Sequence, residues 1–248
     1  MYNIYNNYTK LGVKMKKSTK IIIGVLVALV VGGIGLAIFN SAKKSAEMAN
    51  YNEWDIIEGN SLNGNIADHV VGNKDAKVRI IEYADFQCSA CATTYPYIHE
   101  VISEYKDRVA FVFRTYVINY HQNGTAAATA ATAAGLQGYF DEYSTILFAS
   151  QNEWYDATGS TRDEMFKSYL EEASNGEADL AKYSEDLKST AIKDKISFDR
   201  ALAVRVNLTA TPLIYINQEK YEVSSAKESE FKAEFKAKIE EALKKTEQ

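Results

Sequence analysis

The 248-residue chain carries two thiols, Cys88 and Cys91, three positions apart in the stretch DFQCSACATTYP. Cysteines at i and i+3 serve three chemistries: half of a zinc site, a structural disulfide, or a redox pair. Zinc takes four ligands, and neither a second CxxC nor a spaced histidine pair accompanies these two. His69, His99 and His121 are scattered along the sequence, which suits surface or packing roles. A passive bridge across four residues removes little entropy from the unfolded chain and so stabilises little. The redox pair explains more. A cysteine in the first turn of a helix meets unsatisfied backbone N–H groups and the positive end of the helix dipole. Both favour the reactive thiolate, here Cys88, with Cys91 one turn deeper to resolve a mixed disulfide. Ser89 and Ala90 between them are small and leave the Cys88 sulfur open to a bulky partner.

The elements around the thiols follow from periodicity. KVRIIEYAD is a β-branched and aromatic run that predicts a buried strand leading straight into the cysteines. CATTYPYIHEVISEYKD has helical spacing, with Tyr97, Val101 and Tyr105 on one face, and VAFVFRTYV predicts a second strand. Strand, helix and strand within about forty residues make a βαβ unit with a parallel pair. A long helical region follows. GTAAATAATAAGLQGYFDEYSTILFAS is strong helix former, and TRDEMFKSYLEEAS opens with the capping-box pattern Thr161 to Glu164. NGEADLAKYSEDLKST and SFDRALAVRVN predict two more helices. PLIYIN and YEV around a polar turn predict an antiparallel hairpin, and Phe231, Phe235, Ile239 and Leu243 mark a closing amphipathic helix.

Charge is divided along the chain. Seven lysines and no acidic residue precede Glu47; from Glu47 onward, 21 basic residues against 33 acidic ones leave a net charge of −12. So acidic a body excludes nucleic acid as a partner, because phosphate binding needs clustered Lys and Arg. Ile21 to Phe39 are nineteen consecutive residues without a charge or a hydrogen-bonding side chain. At about 1.5 Å of rise per residue such a run just crosses a bilayer core. Its lysine flank is N-terminal, which keeps the N-terminus in the cytoplasm and exports the rest. A cleaved signal peptide is the rival reading, but its apolar region is normally shorter and FNSAKK is a poor cleavage site. MYNIYNNYTKLGVK, ahead of Met15, is either an extended gene start or a short cytoplasmic tail.

With these pieces in place, the chain resembles the thioredoxin fold and, within it, the DsbA-like thiol–disulfide oxidoreductases of the bacterial cell envelope. DHVVGNKDAKVRIIEYADFQCSAC is similar to that family's entry strand and active site, GLQGYFDEYSTILF to its inserted helical domain, and TATPLIYIN to its cis-proline loop. The likeness runs over roughly residues 66 to 245. It implies an α/β thioredoxin fold with an inserted helical domain, preceded here by one N-terminal transmembrane helix. The expected order is a cytoplasmic tail (1–20), an anchor (21–39), a linker (40–65), the first thioredoxin-like part (66–120), the helical insertion (121–207) and the second part (208–248).

The resemblance also assigns roles. Cys88 and Cys91 become the catalytic pair, Pro96 a kinking proline, and Thr211–Pro212 a cis loop that presents backbone to an extended substrate strand. Glu82 becomes a buried acid under the active site, acting in proton relay or as half of a buried ion pair with Arg114. The implied partners are exported or unfolded protein thiols and a quinone-linked membrane reoxidase, with no bound cofactor or metal. Ser89-Ala90 departs from the Pro-His of strongly oxidising members, and the missing imidazole removes one stabiliser of the thiolate. The expected activity is disulfide introduction outside the cytoplasm, at the cell membrane. The rivals are an exported reductase or isomerase and a non-catalytic binding module; nothing in the sequence resembles the separate dimerisation domain an isomerase would carry.

Overall fold

A computed structural model describes residues 17–225 and 227–247. The tail expected before the apolar run, and the choice between Met1 and Met15, fall on residues 1–16 and lie outside the described residues. The chain divides into two compact units, Met1–Asn50 and Tyr51–Gln248. The first holds helix α1 (Lys17–Met48), which contains the apolar run. Several of its side chains are outside the description. Among the described residues no helix is long and apolar enough to cross a membrane, so the spanning role expected for Ile21–Phe39 has no support there.

The second unit is built on strands β1 (His69–Gly72), β2 (Val78–Ala84), β3 (Val109–Thr115), β4 (Leu213–Ile216) and β5 (Glu219–Tyr221). Their order in the sheet is β1-β3-β2-β4-β5; β2 and β3 run parallel and the other neighbours antiparallel. Helix α2 (Ser89–Tyr105) makes the crossover from β2 to β3. β2 and β3 are buried on both faces, as the unbroken apolar character of VRIIEYA and VAFVFRT requires of central strands. One face, with Val78, Ile80, Phe111, Phe113, Ile214 and Ile216, packs under α2 and the last helix α9 (Glu228–Thr246).

Between β3 and β4 lie helices α3 (Gly124–Gly135), α4 (Phe140–Ala149), the single turn α5 (Gln151–Trp154), α6 (Gly159–Ala173), α7 (Leu180–Asp186) and α8 (Thr190–Arg205). The alanine-rich stretch predicted as one helical region breaks into α3 and α4 at Gly138, whose φ of +89° an L side chain rarely adopts. α6 starts two residues before the predicted capping box, with Thr158 rather than Thr161 at its N-cap and no side-chain cap bond. The chain up to residue 65 does not act as a linker throughout, because from Tyr51 it belongs to the folded unit. Trp54 packs edge-on against Tyr215 with ring centroids 4.6 Å apart. At Gly64, φ is +66° and a Cβ would come within 2.3 Å of the Ala191 carbonyl oxygen, so this segment is pressed directly onto α8.

Candidate active site

β2 delivers the chain through Asp85-Phe86-Gln87 to Cys88, which is the N-cap residue of α2. N-cap geometry, with φ −78° and ψ 121°, places its side chain beside the free N–H groups of the first turn. Both thiols are free; Cys88 is partly exposed, and Cys91, one turn on, is buried. Ser89 and Ala90 are exposed. The Thr211–Pro212 peptide is cis and brings the Thr211 carbonyl to 3.4 Å from Cys88 Sγ, where it accepts the thiol proton. Pro96 lies inside α2.

The Cys88 pKa is lowered from the ordinary thiol value to about 5. The chief cause is donation by the Cys91 thiol, working against burial; the Thr211 hydroxyl and the backbone N–H groups of Cys91 and Ala90 add to it. The Thr211 hydroxyl is buried and has no hydrogen-bond partner among the described residues while the thiol keeps its proton, so it is free to donate once the thiolate forms. Cys91 is pushed the other way, first by burial and then by the partner sulfur. One sulfur is thus partly exposed with its thiolate favoured, and the other is a sealed thiol. The imidazole missing from positions 89 and 90 is replaced by donors from the sequence neighbours and from the Thr211 loop.

Glu82 lies fully buried on the α2 side of β2, and neither carboxyl oxygen has a hydrogen-bond partner among the described residues. Burial, and then the Cys88 thiolate, raise its pKa from 4.5 to about 8, so it holds a proton at neutral pH. The ion pair expected with Arg114 is not formed. Register explains why: Glu82 stands opposite Phe113 while Arg114 stands opposite Tyr83, and neighbours along a strand point to opposite faces. Arg114 instead pairs with Asp68 at 2.7 Å and donates to the Tyr83 hydroxyl and to the carbonyls of Glu53 and Asp55. Lys195 lies between Asp68, at 2.9 Å, and Asp199, at 2.6 Å, and closes a buried cluster with two charges of each sign.

Several of these residues carry no local signal. Asp68, Lys195 and Asp199 come from a loop and from α8, and only folding brings them to Arg114. Asp85 is buried beside the turn and accepts from the N–H groups of Gln87 (2.8 Å) and Ile118 (2.6 Å). Its other partner is His121 Nδ1 at 2.8 Å, which puts one of the scattered histidines next to the redox turn. His69 is stacked on Phe140 at 3.6 Å, and His99 faces Asp141 at 3.3 Å. Among the described residues no group of three or more His, Cys, Asp or Glu side chains could hold a metal ion.

A mixed sheet with a helix-capping CxxC, a cis-proline loop against its first sulfur and a helical insertion defines a thioredoxin-like protein. The chain belongs to the thioredoxin family whose profile matches residues 64–241. Among individual relatives, it is 25% identical over 202 residues to the probable disulfide bond formation protein D of Bacillus cereus, covering 79% of this chain and 86% of that protein. It is 30% identical over 159 residues to the Na(+)/H(+) antiporter NhaA 1 of Mycolicibacterium gilvum, covering 62% of this chain. The match spans 24% of that antiporter, about a quarter of its length, so the antiporter's activity does not follow from it. Among solved structures, oxidised BdbD from Bacillus subtilis superposes with a TM-score of 0.59 at 23% identity, over 77% of this chain and 99% of that one. This likeness speaks for the fold.

Proposed function

We infer that the protein is a thiol–disulfide oxidoreductase that introduces disulfides into exported proteins. The observation that carries the reading is the asymmetry of the two sulfurs: Cys88 is accessible with its pKa lowered to about 5, while Cys91 is buried with its pKa raised. In the oxidised enzyme, a substrate thiolate attacks Cys88 Sγ, the accessible sulfur. A substrate–Cys88 disulfide forms as the Cys88–Cys91 bond breaks, and the electron pair goes to Cys91, which takes a proton. Glu82, neutral and sealed beneath the pair, is the nearby acid suited to supply it. A second substrate thiolate then attacks the substrate sulfur of the mixed disulfide. Cys88 leaves as the stabilised thiolate, and two electrons remain on the enzyme. A good leaving thiolate makes the enzyme's disulfide oxidising, which favours this direction over reduction. The loop peptide at Thr211–Pro212, next to the attacked sulfur, would align an extended substrate strand.

The same reading places the catalytic unit outside the cytoplasm, tethered by α1. Its support is the nineteen-residue apolar run with N-terminal lysines, together with exposed Val25, Leu26, Leu29, Val30, Val31, Ile34 and Phe39 on that helix. An apolar surface of that extent needs lipid or protein cover. A quinone-linked membrane partner would then withdraw the two electrons. The relative named as a probable disulfide bond formation protein supports the chemistry.

The test is a Cys91→Ala variant expressed in the full chain. Mixed disulfides between Cys88 and exported proteins should accumulate and disappear on reduction. A redox titration of the wild-type pair supplies direction: an easily reduced disulfide with a low Cys88 pKa is the expected result. A very stable disulfide and an inert Cys88 would make the protein a binding module instead, and a stable disulfide with a reactive Cys88 would make it a reductase.

A further inference from the structure

The turn that carries Cys88 is held from the helical insertion. Gln151, buried at the start of α5, donates from Nε2 to the Phe86 carbonyl at 2.7 Å and to the Cys88 carbonyl at 3.2 Å. One side-chain amide therefore ties both carbonyls that flank Gln87. Gln87 is buried as well, and its side chain donates to the Tyr155 carbonyl at 2.9 Å and accepts from Asn123 N–H at 2.7 Å. Asn123 in turn donates to the carbonyls of Trp154, Tyr155 and Ala157. The Cys88 carbonyl also takes the first hydrogen bond of α2, from Ala92 N–H at 3.0 Å. It thus has two donors, one from its own helix and one from the insertion.

We propose that Gln151 is a positioning residue for the redox pair, fixing the first peptide plane of α2 and hence the aim of the Ala90 and Cys91 N–H groups at the Cys88 sulfur. The peptide is planar, so a carbonyl held by Gln151 fixes the direction of the N–H on the other side of the same bond. The planes that follow in the first turn are constrained in series. A small rotation there moves N–H groups away from the sulfur, and short charge-assisted bonds are sensitive to angle. The insertion is then the part of the fold that tunes how readily Cys88 gives up its proton. This rests on the oxidoreductase reading of the pair.

The experiment compares the full chain with Gln151→Met, which keeps the volume and removes both donors, and with Gln137→Leu as a control. Gln137 bonds the Asp179 backbone inside the insertion, at 3.0 and 2.8 Å, and has no bond to the turn. Ultraviolet thiolate absorbance against pH should show the Cys88 pKa rising by about half a unit in Gln151→Met, roughly threefold in the thiolate-to-thiol ratio. The equilibrium with glutathione should shift about threefold toward the protein disulfide, since the reduced form has lost stabilisation. Gln137→Leu should leave both unchanged. If Gln151→Met is unstable, Gln151→Asn, one methylene too short, should shift both in the same direction. Loss of stability with an unmoved Cys88 titration would overturn the positioning role alone. A wild-type Cys88 that titrates at the ordinary thiol value would sink both it and the functional reading.

Discussion

The two faces of the β2–β3 strand pair bury charge in opposite ways. On the face under α2, Glu82 is alone, fully buried, without a hydrogen-bond partner among the described residues and close to the cysteines. On the other face, Arg114, Asp68, Lys195 and Asp199 neutralise one another, and Arg114 also ties down the carbonyls of Glu53 and Asp55. Burial there works against each charge, but the opposite charges keep Asp68 well below the usual carboxylate range and Lys195 above its ordinary value. Asp199 is instead pushed up by burial, against the pull of Lys195, and the hydrogen bonds of the cluster pin the segment 51–68 and α8 to the sheet. An unpaired carboxyl is poised to exchange its proton near neutral pH. The difference separates a structural use of buried charge from a chemical one.

The largest effect should come from breaking the cluster. Arg114→Met leaves three buried charges that no longer cancel and should cost about 3–5 kcal/mol in a urea titration. The Cys88 titration should not move; if it shifts with the stability, the two faces are not independent and the comparison fails. The reverse change is Glu82→Leu. It removes a buried polar group with no partner and should raise stability by roughly 1–3 kcal/mol at neutral pH. Exchange should nevertheless slow by about a hundredfold, the scale of lost general acid–base assistance. A variant that is more stable and equally fast would make Glu82 a passive residue.

The pH dependence of stability sharpens the same contrast because Glu82 and Cys88 shift in the same window with opposite sign. Glu82 rises from 4.5 to about 8, so its contribution is fully present below pH 4.5 and is lost as pH rises to 8, where the unfolded chain has already given up the proton. Cys88 falls from 9.0 to about 5, so its contribution to the reduced protein is present above pH 9 and is lost as pH falls to 5. The disulfide form lacks the second contribution. The stability of reduced over oxidised protein should therefore widen between pH 5 and 9 in paired unfolding titrations, and a constant gap would contradict the thiolate assignment. The smallest effect belongs to the surface. Lys236 meets Glu104 at 2.7 Å on the exposed sides of α9 and α2, and Lys236→Ala should change stability by no more than about 1 kcal/mol and leave exchange untouched.

The strands and helices around the cysteines were legible because their patterns are local: VRIIEYA and VAFVFRT are continuous apolar runs, and α9 repeats its apolar residues every fourth position. The misreadings have physical causes. One alanine-rich segment contains helix propensity throughout, yet a left-handed glycine at 138 divides it. The segment after Tyr51 looks like a tether because it has no periodicity; its order comes from Arg114 and the Trp54–Tyr215 contact, neither visible in its own residues. The family resemblance implies a Glu82–Arg114 pair, whereas the register sends the two to opposite faces.

The family resemblance joined the proline-containing loop to the pair; the sequence by itself determined that there is a dithiol and which strand and helix carry it. These follow from residue type and short-range spacing, which are properties of the chain. Tertiary structure alone decided that Glu82 has no hydrogen-bond partner among the described residues, that Arg114 has Asp68, and that Gln151 reaches the Cys88 carbonyl across 63 residues of chain. Such contacts depend on the register of a sheet and the docking of an insertion, where a shift of one residue would exchange the two faces.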